Sequence, residues 1–512
     1  MSGPHHSRIP GAPRRRTRRG AIRPVLLVLV VLLAALALYA GSFAWSYDDL
    51  FRTDDPLVAD DYARLTPTRV AKVAHAQDVA ELQAVLADAR AKGLKVAISG
   101  SHHSQGGHTY TAGGVALNMR RFNKVLAIDT AGPTITVQSG ATWDEVQRAL
   151  APRGLAIKVM QSSNIFTVGG TMSANAHGRD LDVMQMVAVV QRFGLLMADG
   201  RVLEVSRKEN PELFALVIGG YGMYGIILDV TLTVTRDELY EQQAVSMDYR
   251  AFPAYFAEHV KADTNVKLML VRPSIDPDPA SFLRELVVVT WRRAPAGQAG
   301  SFALTEEANV RRDRFFLGLS RKFDWAKSLR WTLQKKVELG AGDSRFMSRN
   351  NAMRPPLAPL ELLQYRSKTD TDIIQEYYVP VERFVPYMDA FREILVSNRM
   401  NVMSSTVRYV AADSSTVLAY APTRPTFAII QMSNVGLDSA AQAQAASVTR
   451  QLVDATIANG GTYYLTYQLY PTPAQLHRAY PRAQFAFERK RFYDPDERFS
   501  SRFYETYGRS AP

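Results

Sequence analysis

From Pro24 to Trp45 the chain reads PVLLVLVVLLAALALYAGSFAW, a run without a single charged residue. Wound into a helix at about 1.5 Å per residue it is roughly 33 Å long, enough to cross the hydrocarbon core of a bilayer. Such a run cannot belong to an ordinary water-facing surface, so it divides the chain before any other signal does. Residues 1–23 hold seven arginines and no acid, whereas Asp48, Asp49, Asp54 and Asp55 follow the run. The positive-inside rule then predicts a single-pass membrane protein with its N-terminus in the cytoplasm and the bulk of the chain on the outer side. The expected layout is a cytoplasmic basic tail over 1–23, a transmembrane helix over 24–45 and a linker over 46–60. A cleaved signal peptide is the competing reading, with SFA before Trp45 as a weak cleavage site, but the run exceeds the usual core of roughly 7–15 residues. TRRGAIR from Thr17 is similar to a twin-arginine export signal, but a plain cationic flank is the favoured reading.

The tail also accounts for most of the net charge. Of the +12 total, only +5 remains beyond residue 23, so nucleic acid is not an expected partner. With no cysteine in the chain, disulfides, thiolate metal sites and thiol nucleophiles are excluded together.

Beyond Asp60 the sequence is well-punctuated α/β. Asp78 and Glu81 have the spacing of a capping box for a helix carrying Val79, Leu82, Leu86 and Ala89, with Gly93 as its stop. KVAI and TITVQSG read as strands, and Thr142 with Glu145 predicts a second capping box before a helix through Val146 to Leu150. LLMADGRVLEV reads as a hairpin turning at Asp199–Gly200. Asn210–Pro211 starts a short helix, and IILDVTLTV alternates Asp229, Thr231 and Thr233 with apolar residues as a half-buried strand does.

Three glycine-bearing loops punctuate these strands: SGSHHSQGGH from Ser99, TVGGTMSANAHG from Thr167 and GGYGMYG from Gly219. Glycine lets a backbone approach a ligand closely, and successive exposed N–H groups form a concavity suited to an anion such as pyrophosphate. Singly each loop also fits a tight turn. Together, in this order, they resemble the FAD-binding oxidoreductases of the vanillyl-alcohol oxidase (PCMH) type. The first loop is similar to that family's R-G-x-G-H-S pyrophosphate loop, with Ser99 and His102 where arginine and glycine are usual. ADGRVLEVSRKENPELFALVIGGYGMYGIILDVTLTV is similar to the end of its FAD domain, and AYPRAQFAFERKRFYDPDERFSSRFY to its closing segment.

The resemblance implies an α+β fold: a two-subdomain FAD-binding domain over 61–240, a substrate (cap) domain over 241–462, and a C-terminal segment, 463–512, returning to the FAD domain. It places Gly100, Ser101, His102, His103 and Ser104 around the pyrophosphate and Thr167, Val168, Gly169, Gly170, Ala174 and His177 along the flavin. Ile227 and Tyr464 fall where members contact the cofactor. His103 falls where many members bond the flavin covalently, a reaction that needs a neutral imidazole. In the cap, Glu376 in IIQEYYVP and Arg408 in SSTVRYVAAD match substrate-contacting positions of the sugar and polyol oxidase branches. Such groups would accept the hydroxyl proton and stabilise a developing alkoxide. Tyr467 and Gln468 stand where several relatives carry a lysine.

A metal reading of His102, His103, His108 and His177 is disfavoured, because adjacent residues of an extended segment point to opposite sides and the first loop holds no carboxylate. His75, His259 and His477 stand alone. RRDRFFLGLSRKFDWAKSLRWTLQKK, from Arg311 to Lys336, interleaves basic and aromatic residues. It reads as a pair of amphipathic cap helices with solvated basic faces; resting on a membrane surface or receiving an anionic, lipid-linked substrate is the other reading.

The expectation is an FAD-dependent oxidase or dehydrogenase oxidising a CH–OH group of a sugar, polyol or aldonolactone, reoxidised by oxygen, a quinone or a protein. The resemblance of YPR and the second loop to decaprenylphosphoryl ribose oxidases allows a lipid-linked sugar as the alternative. A catalytically silent binding or metal protein is the alternative of another class.

Overall fold

The computed structural model describes residues 3, 19–48, 55–161, 163–183, 185–306, 310–340, 345–354 and 367–509. Arg14, Arg15, Arg16, Thr17 and Arg18, and Asp49 and Asp54, on which the topology reading draws, lie outside the described residues, as do the side chains of Arg19, Arg23, Asp48 and Arg311. The apolar run lies within a 30-residue helix, α1 (Arg19–Asp48), which extends past the run at both ends. Its segment Pro24–Gly41 is unburied throughout and long enough to cross a membrane.

Residues 53–512 pack as a separate unit. Two short strands, β1 (Val58–Ala59) and β2 (Thr68–Arg69), pair at its start. A parallel sheet follows, in which β5 (Val115–Asn118) lies between β3 (Lys72–His75) and β4 (Val96–Ser99). The helix between β3 and β4, α2 (Val79–Ala91), buries Leu82, Leu86 and Ala89. Its capping box is one-sided. Asp78 accepts the Glu81 N–H at 2.9 Å, but the Glu81 carboxylate takes the N–H of Gln77 rather than that of Asp78.

The second sheet runs β10 (Val202–Ser206), β9 (Val190–Leu196), β11 (Ile226–Arg236), β7 (Thr134–Gln138), β6 (Val125–Asp129), with β8 (Leu155–Ile157) also on β11. Met197 and Arg201 close the β9–β10 hairpin at 2.8 Å over Gly200, whose φ of 91° a side chain would strain. After β7, α3 (Trp143–Leu150) carries both halves of the Thr142–Glu145 capping box. After Asn210, α5 (Pro211–Val217) starts on its proline. β11 is half-buried as its alternation predicts: Asp229 and Thr233 stay partly exposed between buried apolar residues, and Thr231 alone of the three is buried, its hydroxyl 2.9 Å from that of Thr136.

Between β11 and β12 (Leu239–Asp248) the chain changes sheets. An eight-stranded antiparallel sheet follows, ordered β15 (Arg345–Ser348), β12, β14 (Glu285–Arg293), β13 (Val266–Pro273), β17 (Asn401–Val410), β18 (Thr426–Gly436), β16 (Asp370–Pro380), β19 (Thr462–Tyr463). Its two faces differ. Gln375 of β16 bonds Thr449 of the helix Ser439–Ala458, so that helix lies on one face. Asp372 and Glu376, of opposite parity to Gln375, face the other side, where α7 (Val310–Lys322) sends Arg321 to Asp372. The end of the chain rejoins the parallel sheet: Val96 N–H donates to Arg498 O at 2.7 Å and Ser500 N–H to Val96 O at 3.0 Å, with Phe499 fully buried in its core.

Candidate functional site

The first glycine loop leaves β4 and turns under the second. Gly100 approaches Thr167 so closely that a Cβ there would overlap the Thr167 hydroxyl. That hydroxyl caps α4 (Val168–Ser173) by accepting the Gly170 N–H at 3.2 Å. Val168 N–H donates to Ala141 O and Gly169 N–H to Ser139 O, both at 2.8 Å, which fixes α4 against the strand-to-helix turn after β7. A partly open cleft lies over this junction. Of the residues assigned to the cofactor, Gly100, Ser104, Thr167, Gly169, Gly170, Ala174 and Ile227 line it.

The others lie beside it. Ser101 donates its hydroxyl to Ile165 O at 2.6 Å, and Val168 is buried at the start of α4. His102 has φ of 55°, the left-handed region, and thus adopts a glycine-like backbone at a cost of roughly 1–2 kcal/mol. Its Nε2 accepts from Asn118 Nδ2 at 3.2 Å. The His103 ring packs edge-on to Phe166 at 5.0 Å and tilted to Tyr62 at 5.8 Å. Burial, then the neighbouring His102, pushes His103 down to about 3, so its imidazole is neutral at physiological pH. Tyr464 donates its hydroxyl to Ala174 O at 2.9 Å.

Several lining residues were missed by sequence reasoning. Ser99, Ser139 and Thr466 line the cleft, as do Tyr221, Gly222 and Gly225 of the third loop. That loop was visible as GGYGMYG; the positive φ of Tyr221 and Gly222, which turns it toward the cleft, was not. His108 also lines the cleft, with Nε2 2.7 Å from Leu465 O and its ring stacked on Phe503 at 5.2 Å. Burial pushes it down to about 4.

A second cluster forms where the other end of the second loop meets the eight-stranded sheet. His177 bonds through Nε2 to Glu376, and both are buried. Burial pushes Glu376 up, but the His177 imidazole and the Arg408 charge outweigh it and hold the carboxyl below its ordinary value. An ionised carboxylate only accepts, so the proton in this bond lies on His177 Nε2. The other ring nitrogen, Nδ1, is buried with no hydrogen-bond partner among the described residues. Tyr467 donates to the other Glu376 oxygen at 3.4 Å, and Tyr378, Tyr420 and Tyr464 wall the His177 ring. The sheet register explains Arg408. Glu376 pairs with Ile430 of β18, and Ile430 with Thr406 of β17, so Thr406 and Arg408 share the face of Glu376. The four loop histidines thus point to different neighbours.

Arg179 lies two residues beyond His177, buried, with Nη1 bonded to Ala352 O at 2.9 Å and its guanidinium 5.6 Å from the Trp291 ring. Burial, then the charges of Arg408 and Arg272, pushes it down to about 9. Its Nε has no partner among the described residues.

The residues of the first cleft fit a dinucleotide. Among the described residues, the backbone N–H groups of 101–104 have no acceptor, and glycines stand where a Cβ would close the approach. A family model described as an FAD binding domain matches residues 70–206. An uncharacterized oxidoreductase of the fasciation locus of Rhodococcoides fascians is 28% identical over 245 residues, 47% of this chain and 54% of that one. L-gulonolactone oxidase of Mus musculus is 32% identical over 154 residues, 30% of this chain and 35% of that one. Decaprenylphosphoryl-beta-D-ribose oxidase of Mycolicibacterium smegmatis is 27% identical over 179 residues, 35% of this chain and 39% of that one. The chain therefore spans about half the length of the first of these relatives and little more than a third of the other two.

Proposed function

From a chain whose residues 70–206 are an FAD binding domain of the PCMH-type oxidoreductases, we propose a membrane-anchored flavoenzyme that oxidises a CH–OH group of a sugar, polyol or aldonolactone. The observation that carries this reading is the buried cluster of His177, Glu376 and Arg408. Gly100, Ser104, Gly169 and Gly170 would hold the pyrophosphate, and the N–H groups of 101–104 would meet its charge. Ala174, Ile227 and Tyr464 would border the rest of the cofactor. When bound, FAD supplies the hydride acceptor.

The chain's own residues supply the proton chemistry. His177 Nδ1 accepts the hydroxyl proton, while Glu376 fixes the tautomer and offsets the positive charge that arrives on the ring. Arg408 stabilises the alkoxide as it forms. Glu376 is therefore a positioning residue in this scheme, with His177 in the role of base. His103 is the attachment residue, and its neutral imidazole meets the requirement for that bond. α1 anchors the protein with its N-terminus inside and residues 53–512 outside, a reading supported by the arginines before the helix and the aspartates after it.

Anaerobic mixing of the purified chain with aldonolactones, polyols and sugars tests the reading. Bleaching of the flavin absorbance by one of these classes is the expected result, and admission of oxygen or of a quinone then identifies the acceptor. A colourless protein, or a yellow one that no CH–OH donor bleaches, would overturn it.

One observation favours an anionic, lipid-linked sugar within this substrate class. Arg179 has no carboxylate within salt-bridge distance among the described residues, although it is buried beside a second arginine. Burial and the charges of Arg408 and Arg272 outweigh the Glu338 carboxylate there, so the cation is costly, and a phosphate ester on the substrate would relieve it. Including a sugar phosphate and its neutral parent in the same panel separates the two.

A further inference from the structure

The basic and aromatic stretch from Arg311 to Lys336 folds as two helices, α7 and α8 (Asp324–Leu339), and α8 has the reverse of the expected polarity over most of its length. Three of its four basic residues turn inward. Arg330 donates to Met403 O, Lys335 to Glu285 at 2.8 Å, and Lys327 is buried. Trp331 lies under the helix with Nε1 2.9 Å from Glu285, and Glu338 meets Arg272 of β13 at 2.6 Å. The apolar residues turn outward. Trp325 is 58% exposed, Leu329 41%, Leu333 45% and Val337 56%. They recur every fourth residue, which puts them on one stripe of α8 roughly 18 Å long. Phe323 and Leu339 extend it at its two ends. Outside α1, 14 large apolar residues are exposed among the described residues, and six of them lie on this one stretch. Scattered exposure needs no explanation, but a concentration of this kind marks an interaction surface.

We propose that the outer face of α8 lies in the surface of an anionic phospholipid bilayer, so that the body of the protein is seated on the membrane as well as tethered to it. The proposal rests on the reading of α1 as a membrane anchor. Residues 49–54 are all that separate α1 from Asp55, a reach of at most roughly 25 Å, so chain length alone keeps residues 53–512 at the bilayer. The stripe has the chemistry of an interfacial helix. The Phe323 and Trp325 rings stack at 5.8 Å at one end, and aromatic rings favour the headgroup boundary. Lys336 is exposed beside the apolar residues, and a lysine near an anionic surface is worth about 1 kcal/mol; Lys322, at the other end, is exposed but bonded to Asp370. Asp324 opposes this at the first turn; its carboxylate is 3.2 Å from Lys327 Nζ. The opposite side of α8 covers the face of the eight-stranded sheet that carries Arg272, Glu376 and Arg408. A helix seated in the headgroups would therefore hold that face near any substrate delivered from the lipid.

The absence of cysteine makes the test clean. Leu329→Cys and Leu333→Cys, each in the full chain, take an environment-sensitive fluorophore, and Val202→Cys on β10 serves as an exposed reference. The labelled proteins are reconstituted into phosphatidylcholine–phosphatidylglycerol vesicles and probed with quencher-bearing lipids. The expected result is a blue shift at 329 and 333 on reconstitution and quenching several-fold stronger than at 202. A chain that floats with the vesicles while all three labels stay equally wet overturns the seating and leaves the anchor standing. Labels at 329 and 333 already shielded in detergent, with a cross-linked dimer, assign the face to a second copy instead. A chain that does not float with the vesicles overturns the anchor and the seating together.

Discussion

His177 is the residue on which the proposed chemistry turns, because one of its ring nitrogens has no partner among the described residues. His177→Gln keeps a donor toward Glu376 and removes the basic nitrogen. It should leave the flavin bound and slow its reduction by roughly 10²–10⁴-fold, as stopped-flow reduction would measure. An unchanged rate would move the base elsewhere, with Tyr467 next in line. Arg179→Met gives the complementary test. If Arg179 binds an anionic group, the variant should weaken a phosphorylated substrate by roughly ten- to a hundredfold in KM while leaving its neutral parent unaffected. Its thermal stability should hold or rise, since the substitution removes a buried cation with no carboxylate within salt-bridge distance among the described residues. Equal loss on both substrates would make Arg179 merely structural.

At the scale of elements, the close pass of the first loop over the start of α4 is the feature least tolerant of change. Gly100→Ala would press a methyl group against the Thr167 hydroxyl and pull it from the Gly170 N–H, so the cap and the cradle fail together. The variant should fold, lose about 1 kcal/mol through the cap and purify with little or no flavin. Full flavin occupancy would show that the two loops can separate. Elements like these were legible because their signals are local: Thr142 and Glu145 announce a helix start, and Asp199–Gly200 a hairpin turn. The cluster at Glu376 was not legible in the same way. Glu376 and His177 are 199 residues apart, and what joins them is the register of three strands together with a loop from another sheet. Sequence shows which residue types are available and leaves such a register open. α8 shows the converse failure. Its basic residues suggested a wet face, but Glu285 lies beneath the helix and draws Lys335 inward, and a periodicity argument has no access to the partner on the other side.

The whole molecule is closed by its C-terminal segment, and His108 sits at that closure. It bonds the Leu465 carbonyl, stacks on Phe503 and lines the cofactor cleft, so three separate stretches of chain meet on one imidazole. His103 holds the same loop from the other side. Both are neutral in the native state, at about 4 and about 3, against an ordinary value of 6.5 when the chain is unfolded. Between those limits the unfolded chain binds more protons than the native one, so stability rises with pH through the window and is lost as pH falls from about 6.5 toward 4. Glu376, held below its ordinary value, stays ionised through most of that window and adds to the loss only at its acid end. The melting temperature of the full chain should therefore be flat above neutrality and fall progressively below it. His108→Gln keeps a donor toward Leu465 and cannot titrate, so it should flatten the acid limb even if its stability at neutral pH is lower. An acid limb as steep as that of the unaltered protein in differential scanning calorimetry would mean that the closure of the chain on the first loop does not depend on this histidine being neutral.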